Sequence, residues 1–579
     1  MVRRFRGAGW VALAATGALV LAACGGGDGD SGADGTGDAG GQAQDAQAGG
    51  TLTYLQTGEQ FQHVDPQRVY VGEDLAFFGA YITRSLTQFS YSSDPDESSA
   101  IVGDLATDTG TSNEDATEWS FTIRDGVKWE DGSDVTCEDV KYGVSRTFAQ
   151  DVITDGPTYA ISFLDIPEDP EGGSAYKGPY TGDGQELYDE AVTCDGNTIT
   201  FKLAFPVADF NYATTLHSFA PVQEAKDTGE SYDDAVQSNG PYKIEEYTIG
   251  QQMVLVRNDQ WNAESDPDRP AYPDRIEVKF ALESAAVNQR LIQDAPADQN
   301  ALASIDVLPE NKAAVFSNEA LADRRWDEFS PYTLYYAIDT TKVPNVKHRQ
   351  AILAAMNRET IIAAYGGDFA GEEADGVVKP NIGADYAPTE VWDGLLGQEI
   401  PPQGDPEYAK QLIEESGEPL PELRLSFRDS DTESAVAAAF IEALARADIT
   451  VQPNSIERSQ YYGTVLGDGG TEIMFGGWGP DWSNASTVLP ELFGTNGGFN
   501  LSYYDDEEFQ AAIADAQGET DRAAQTEKWH AISKASMEAA LVAPWLFEKE
   551  QRIWGSGLQN VEYWPPYGSY LYANIAVTQ

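Results

Sequence analysis

The sequence predicts a mixed α/β or α+β body, and three observations carry that prediction. Short runs alternate apolar and polar residues, four-residue helical spacing recurs between them, and no short-period repeat is present. About 530 residues follow position 50, enough for several ordinary domains or one large protein of two lobes.

The elements follow in chain order. Trp119, Phe121 and Ile123 alternate with Ser120, Thr122 and Arg124, as a half-buried strand does. Arg124-Asp125-Gly126-Val127 turns the chain. Thr136 reads as a helix N-cap, with Asp139 three residues on as the short arm of a capping box. Val140, Val144 and Phe148 give that helix its apolar face. Residues 155–192 are rich in Gly, Pro, Asp and Tyr and read as an irregular surface excursion. Ile199, Phe201 and Leu203 alternate as a strand, and 253–257 and 276–280 are two more. A helix over 351–365, broken near Asn357, precedes a strand at Leu423, Leu425 and Phe427. Helices are expected over 435–447, 505–517 and 520–543.

The N-terminus states where the protein works. Arg3, Arg4 and Arg6 precede an uncharged stretch over 7–23, and Leu21-Ala22-Ala23-Cys24 closes it. This is the layout of an export signal over 1–23, a little short of the ~20 apolar residues that span a bilayer. Its end resembles the bacterial lipobox, in which the cysteine is acylated and becomes the N-terminus. A plain secretory signal with a chance cysteine is the alternative. Residues 24–50 are Gly, Asp, Ala and Gln with few others, and cannot bury enough surface to offset ordering entropy. They form a flexible tether after the lipidated Cys24. The expected location is the outer face of the plasma membrane, with more than one acyl chain, since one anchors only marginally. The Arg3-Arg4 pair leaves Sec and twin-arginine export both open.

Composition excludes several classes. A net charge of −59 repels phosphates and anionic lipid, which argues against nucleic acid as a partner. Cys137 and Cys194 remain after Cys24; in an exported chain they form one disulfide or stay as two buried thiols. With only four scattered histidines there is no HExxH pair, and the two cysteines alone leave zinc short of ligands. No GxSxG elbow, phosphate loop or dinucleotide fingerprint occurs. No metal, cofactor or catalytic residue is nominated, and the chain is not expected to be an enzyme.

Three stretches together resemble the extracellular solute-binding proteins of ABC importers, family 5, which includes oligopeptide- and dipeptide-binding proteins. The first runs from Asp104-Leu105-Ala106-Thr107 through Arg124-Asp125-Gly126-Val127-Lys128-Trp129 to Glu138-Asp139-Val140-Lys141-Tyr142. The second is Asn239-Gly240-Pro241-Tyr242-Lys243-Ile244, with Asn258 to Trp261 and Pro273-Asp274-Arg275-Ile276. The third is Val346-Lys347-His348-Arg349-Gln350-Ala351-Ile352. They lie in the family's order. The resemblance implies an α/β, two-lobed, periplasmic-binding-protein-like fold of the large type. Lobe I would cover 51–333, with an extra subdomain at about 85–235, and lobe II 334–545, with 546–579 returning to lobe I. It also implies a monomer that closes on a solute and docks to a membrane permease with its ATPase subunits.

The same resemblance carries a site. Gly476-Gly477-Trp478-Gly479-Pro480-Asp481-Trp482 is similar to the family's segment at the interlobe cleft, where an aspartate holds a peptide's α-ammonium. Asp481 matches it, and Gly477, Trp478 and Trp482 are its companions. A partly desolvated carboxylate beside two indoles can bind an ammonium through a charge-assisted bond and cation–π attraction. Alternatively the indoles are core residues and Asp481 a turn residue. Ser483-Asn484-Ala485 depart from the family's pattern here. Weaker candidates are Glu59 and Gln60, before the His63-Val64-Asp65-Pro66 loop, and Phe547, each of which could be plain packing. The ligand expected is a di- or oligopeptide. An oligosaccharide or nickel complex on the same fold is the first rival, and an exported enzyme or sensory lipoprotein the second.

Overall fold

The computed structural model describes residues 46–578 apart from 171, 468, 469 and 496. The signal, Cys24 and nearly all of the tether lie outside the described residues.

In lobe I a five-stranded sheet runs in the order Ala301–Ala303, Thr51–Leu55, Arg275–Lys279, Gln252–Arg257, Tyr242–Thr248. Thr51–Leu55 pairs in parallel with both neighbours, and the remaining pairs are antiparallel. A separate four-stranded antiparallel sheet contains Glu118–Thr122 and Thr198–Lys202. Its alternation is as read: Trp119 and Phe121 are buried and their neighbours are not. The helix Cys137–Arg146 starts on the Thr136–Asp139 capping box, and Val140 and Val144 are buried on its inner face. Its first residue is bonded to the Val192–Asp195 strand by the disulfide Cys137–Cys194, with Cα atoms 6.0 Å apart. The bridge closes a loop of sequence separation 57, which stabilises by roughly 2–4 kcal/mol, chiefly through the unfolded chain. Reduction, or Cys137→Ser with Cys194→Ser, is expected to lower the urea midpoint accordingly; an unchanged midpoint would contradict this.

Two segments differ from the reading of the sequence. The 155–192 excursion is not wholly irregular: it carries the short helices Tyr159–Phe163 and Gln185–Ala191, and Tyr176 and Tyr188 stack in the core at 4.7 Å. The expected helix over 520–543 is Arg522–Glu538 only. Ala540 adopts φ 49°, a left-handed turn that ends the helix and starts the strand Val542–Ile553. The break near Asn357 is sharp: Val346–Ala355 ends, and Asn357 caps Arg358–Tyr365 by accepting from Thr360 N at 3.2 Å.

Lobe II is built on a six-stranded sheet, ordered Gly371–Glu372, Val542–Ile553, Arg325–Ile338, Ile473–Trp478, Leu423–Arg428, Val451–Ile456. Two of its strands cross between the lobes. Arg325–Ile338 begins with Trp326 in the lobe I core and ends with Leu334 to Ile338 in the lobe II core. Val542–Ile553 runs back, from Val542 in the lobe II core to Ile553 beside Leu55 and Val287. The chain then finishes among lobe I residues, with Trp564, Tyr567 and Tyr572 in that core.

The quoted sequence stretches are mostly architectural. Asp104 accepts from Arg84 Nε at 2.7 Å and from Arg269 Nη2 at 2.8 Å, all three being buried. Asp266 joins Arg269 at 2.9 Å and accepts from Trp261 Nε1 at 2.8 Å, while Asn239 Oδ1 accepts from Arg84 N. The first and second stretches therefore meet at one buried ionic cluster. In the third, Arg349 donates to the carbonyls of Val343, Pro344 and Ala539, closing the end of the Arg522–Glu538 helix.

Candidate functional site

The strand Ile473–Trp478 delivers the chain to Gly479-Pro480-Asp481 at the junction of the lobes. Gly477 sits opposite Leu334, where a Cβ would lie 2.9 Å from the leucine's Cδ2, so glycine there lets the strands approach. Pro331 and Tyr332, on the neighbouring crossing strand, lie against Gly479.

Asp481 is half-buried, and its carboxylate is met from both lobes. The Tyr159 hydroxyl of lobe I donates to Oδ2, and the Thr487 hydroxyl lies 3.2 Å from the same oxygen. Tyr70, also of lobe I, lines the same cavity beside the carboxylate. Burial pushes the Asp481 pKa up to about 6, against the lowering effect of the Tyr159 and Thr487 hydroxyls; Glu491 nearby adds to the rise. A cavity of about 80 Å³ borders Asp481, lined by Tyr70, Pro331, Tyr332, Pro480 and Tyr567 among others. Ligand pockets hold roughly 300–1,000 Å³, well above this volume.

The two indoles are turned to other partners. Trp482 is 2% exposed and sits in the lobe I core, edge-on to Tyr159 at 4.6 Å, with Nε1 donating to Ser486 Oγ at 3.1 Å. Trp478 packs on Phe499 at 4.7 Å and donates to Thr487 O at 2.8 Å. A buried indole N–H needs an acceptor, and both find one away from the cavity. The rings lining the cavity are tyrosines instead. Glu59 and Gln60 are exposed and do not border it; the Glu59 carbonyl accepts from Gly250 N at 2.7 Å in a turn contact. Phe547 is 2% exposed, paired across the sheet with Thr333 and Glu372, and packs edge-on to Tyr386 at 6.1 Å. It is a packing residue of the crossing strands. Asp65 of the His63-Val64-Asp65-Pro66 loop forms a buried fork with Arg146, at 2.7 and 2.6 Å.

The sequence reading missed Tyr159 and Tyr70. Tyr159 lies 322 residues from Asp481, in the segment read as irregular; its tyrosine-rich composition was the only signal. Further contacts cross between the lobes beside it. Ser486 Oγ donates to the Asp209 carboxylate, and Ala208 N donates to Gln517 O at 3.1 Å. Among the described residues no group of His, Cys, Asp and Glu could hold a metal ion, and no helix is long and apolar enough to cross a membrane.

The chain has known relatives. It is 25% identical over 541 residues to the periplasmic oligopeptide-binding protein OppA of Escherichia coli K12, covering 87% of this chain and 91% of that one. It is 24% identical over 450 residues to the periplasmic murein peptide-binding protein MppA of the same organism, covering 74% and 76%. Among solved structures, the clavulanic acid biosynthesis oligopeptide binding protein 2 superposes with a TM-score of 0.81 at 26% identity, covering 92% of this chain and 96% of that one. The family profile described as "Bacterial extracellular solute-binding proteins, family 5 Middle" matches residues 100–500. With the two-lobed fold, the crossing strands and that match over most of its length, this chain belongs to the bacterial extracellular solute-binding proteins of family 5.

Proposed function

We propose that this protein is the receptor of an ABC importer that captures di- and oligopeptides by their free α-ammonium and delivers them to a membrane permease. The observation that carries the reading is the Asp481 carboxylate, placed where the lobes meet and approached by the Tyr159 hydroxyl from lobe I. Relatives named for oligopeptide and murein peptide binding support the substrate class. An ammonium can replace the hydroxyl donors and meet the carboxylate as an ion pair, where the hydroxyls bring no charge. Lipid on Cys24 would hold the receptor at the outer face of the membrane, on the tether that follows it.

Calorimetric titration tests the ligand. Trialanine is expected to bind, and N-acetyl-trialanine to bind at least tenfold more weakly, since acetylation removes the charge. Equal affinities would remove the assignment to Asp481, and silence toward all free peptides would reject the substrate class. The anchor has its own test: Cys24→Ala expressed in the native host is expected to shift the protein from the membrane fraction to the medium or periplasm. Continued membrane association would count against lipidation at Cys24.

A further inference from the structure

The two crossing strands are not evenly paired. Phe329 lies opposite Lys549 and Thr333 opposite Phe547, so four steps on one strand match two on the other. Ser330, Pro331 and Tyr332 bulge from the ladder and have no register partner on the other crossing strand. One side chain from lobe II reaches the carbonyls at both ends of the bulge. Lys379 is 1% exposed, and its Nζ donates to Ser330 O, to Tyr332 O at 2.9 Å and to Glu548 O at 2.7 Å. The nitrogen meets three main-chain carbonyls, two from one crossing strand and one from the other, and when protonated it has a proton for each; burial lowers its pKa to about 7. The Phe329 ring lies 5.2 Å from the same nitrogen. Glu548 reinforces the arrangement, accepting from Ser330 Oγ at 2.7 Å and from the Tyr365 hydroxyl.

The bulge held in this way faces the site. Pro331 and Tyr332 line the cavity that borders Asp481, and a Cβ added at Gly479 would meet both within 3.2 Å. Tyr332 is 50% exposed, between the half-buried Pro331 and the buried Thr333. A fully buried lysine is costly to keep, and an apolar residue would be the cheaper filling. The three carbonyls account for its presence.

We propose that Lys379 is a positioning residue for ligand capture: its ammonium fastens the bulge of the crossing strands so that Pro331 and Tyr332 form the wall of the cavity opposite Asp481. The inference rests on the capture site proposed above, because it names what shapes that site. Lys379 touches no ligand; it acts through Tyr332.

The test is a double-mutant cycle with trialanine as the titrant, joined to hydrogen exchange on the ligand-free full chain. Lys379→Met is expected to lower trialanine affinity at least tenfold and to speed amide exchange at 330–333 and 546–549. Tyr332→Ala is expected to lower affinity as well. The double variant should then bind within about twofold of the weaker single variant, because both changes act on one wall. Fully additive losses, or wild-type affinity in Lys379→Met, would overturn the proposal. Should Lys379→Met fail to fold, Lys379→Gln keeps donors on a shorter arm and carries the same expectations at smaller size. Unchanged affinity in Tyr332→Ala would by itself refute the route through the bulge. If the wild type ignores trialanine and every other free peptide, the substrate reading falls. Lys379 is then judged by exchange, and wild-type protection at 330–333 in Lys379→Met would overturn its role separately.

Discussion

Asp481→Asn is expected to weaken trialanine binding by about 1.5–3 kcal/mol, roughly 10- to 150-fold, because an ion pair becomes an ion–dipole contact. Folding should be untouched or slightly improved. The sign follows from the raised pKa. Burial lifts this carboxyl from 3.8 to about 6, so between those values the native state holds more protons than the unfolded chain. Stability from this group is therefore greatest below about pH 4 and declines as pH rises to about 6. Asparagine removes the decline. Ligand affinity runs the opposite way, since only the ionised form attracts an ammonium: in the wild type it should rise as pH climbs through about 6 and then level off. Calorimetry at several pH values from 4.5 to 7.5 reads this directly. A pH-independent affinity in the wild type, or the same pH profile in Asp481→Asn, would contradict the assignment.

Asp104→Ala should have the largest effect on stability, a loss of about 3–5 kcal/mol, because it leaves the buried guanidinium groups of Arg84 and Arg269 short of their shared partner. That is a large part of the roughly 5–15 kcal/mol that holds a typical protein folded. Burial alone would raise the Asp104 pKa, but Arg269 and Arg84 outweigh it and hold the carboxyl below its ordinary value. Its contribution is therefore present above the ordinary aspartate range and disappears as pH falls through the lowered value, so it adds to acid unfolding below about pH 4. Denaturation by urea, followed through tryptophan fluorescence, measures the loss. Asp134→Ala is the control. Its partner Lys128 lies 2.7 Å away on the surface, with side chains 38% and 72% exposed, and such pairs contribute about 1 kcal/mol at most. Equal midpoint shifts in the two variants would sink the argument for the buried cluster.

Local chemistry was readable and long-range geometry was not. The Trp119–Phe121 strand, the Thr136–Asp139 cap and the stop at Asn357 each depend on residues within a few positions, where alternation and side-chain reach decide the outcome. The helix that ends at Glu538 shows the limit. Ala539 to Ala543 suits helix and strand equally, and the left-handed turn at Ala540 leaves no mark in the residue type. The site divides the same way. Asp481 was found by resemblance to a family segment, and its neighbours Trp478 and Trp482 were near in sequence yet faced elsewhere. Tyr159, Tyr70 and Tyr332 reach the site from distant stretches, by a route that no periodicity encodes. Lys379 was invisible for the same reason: the carbonyls it satisfies exist only once the two crossing strands are mispaired.

If Asp481 captures an amine as proposed, the Tyr159–Asp481 contact sets a threshold for binding. The phenol hydroxyl donates to the same carboxylate oxygen that the proposed capture assigns to an amine. An incoming solute competes with an internal stand-in, so its measured affinity is a difference between two occupants of the same carboxylate. On the proposed capture, scarce or poorly fitting solutes lose that contest to the phenol.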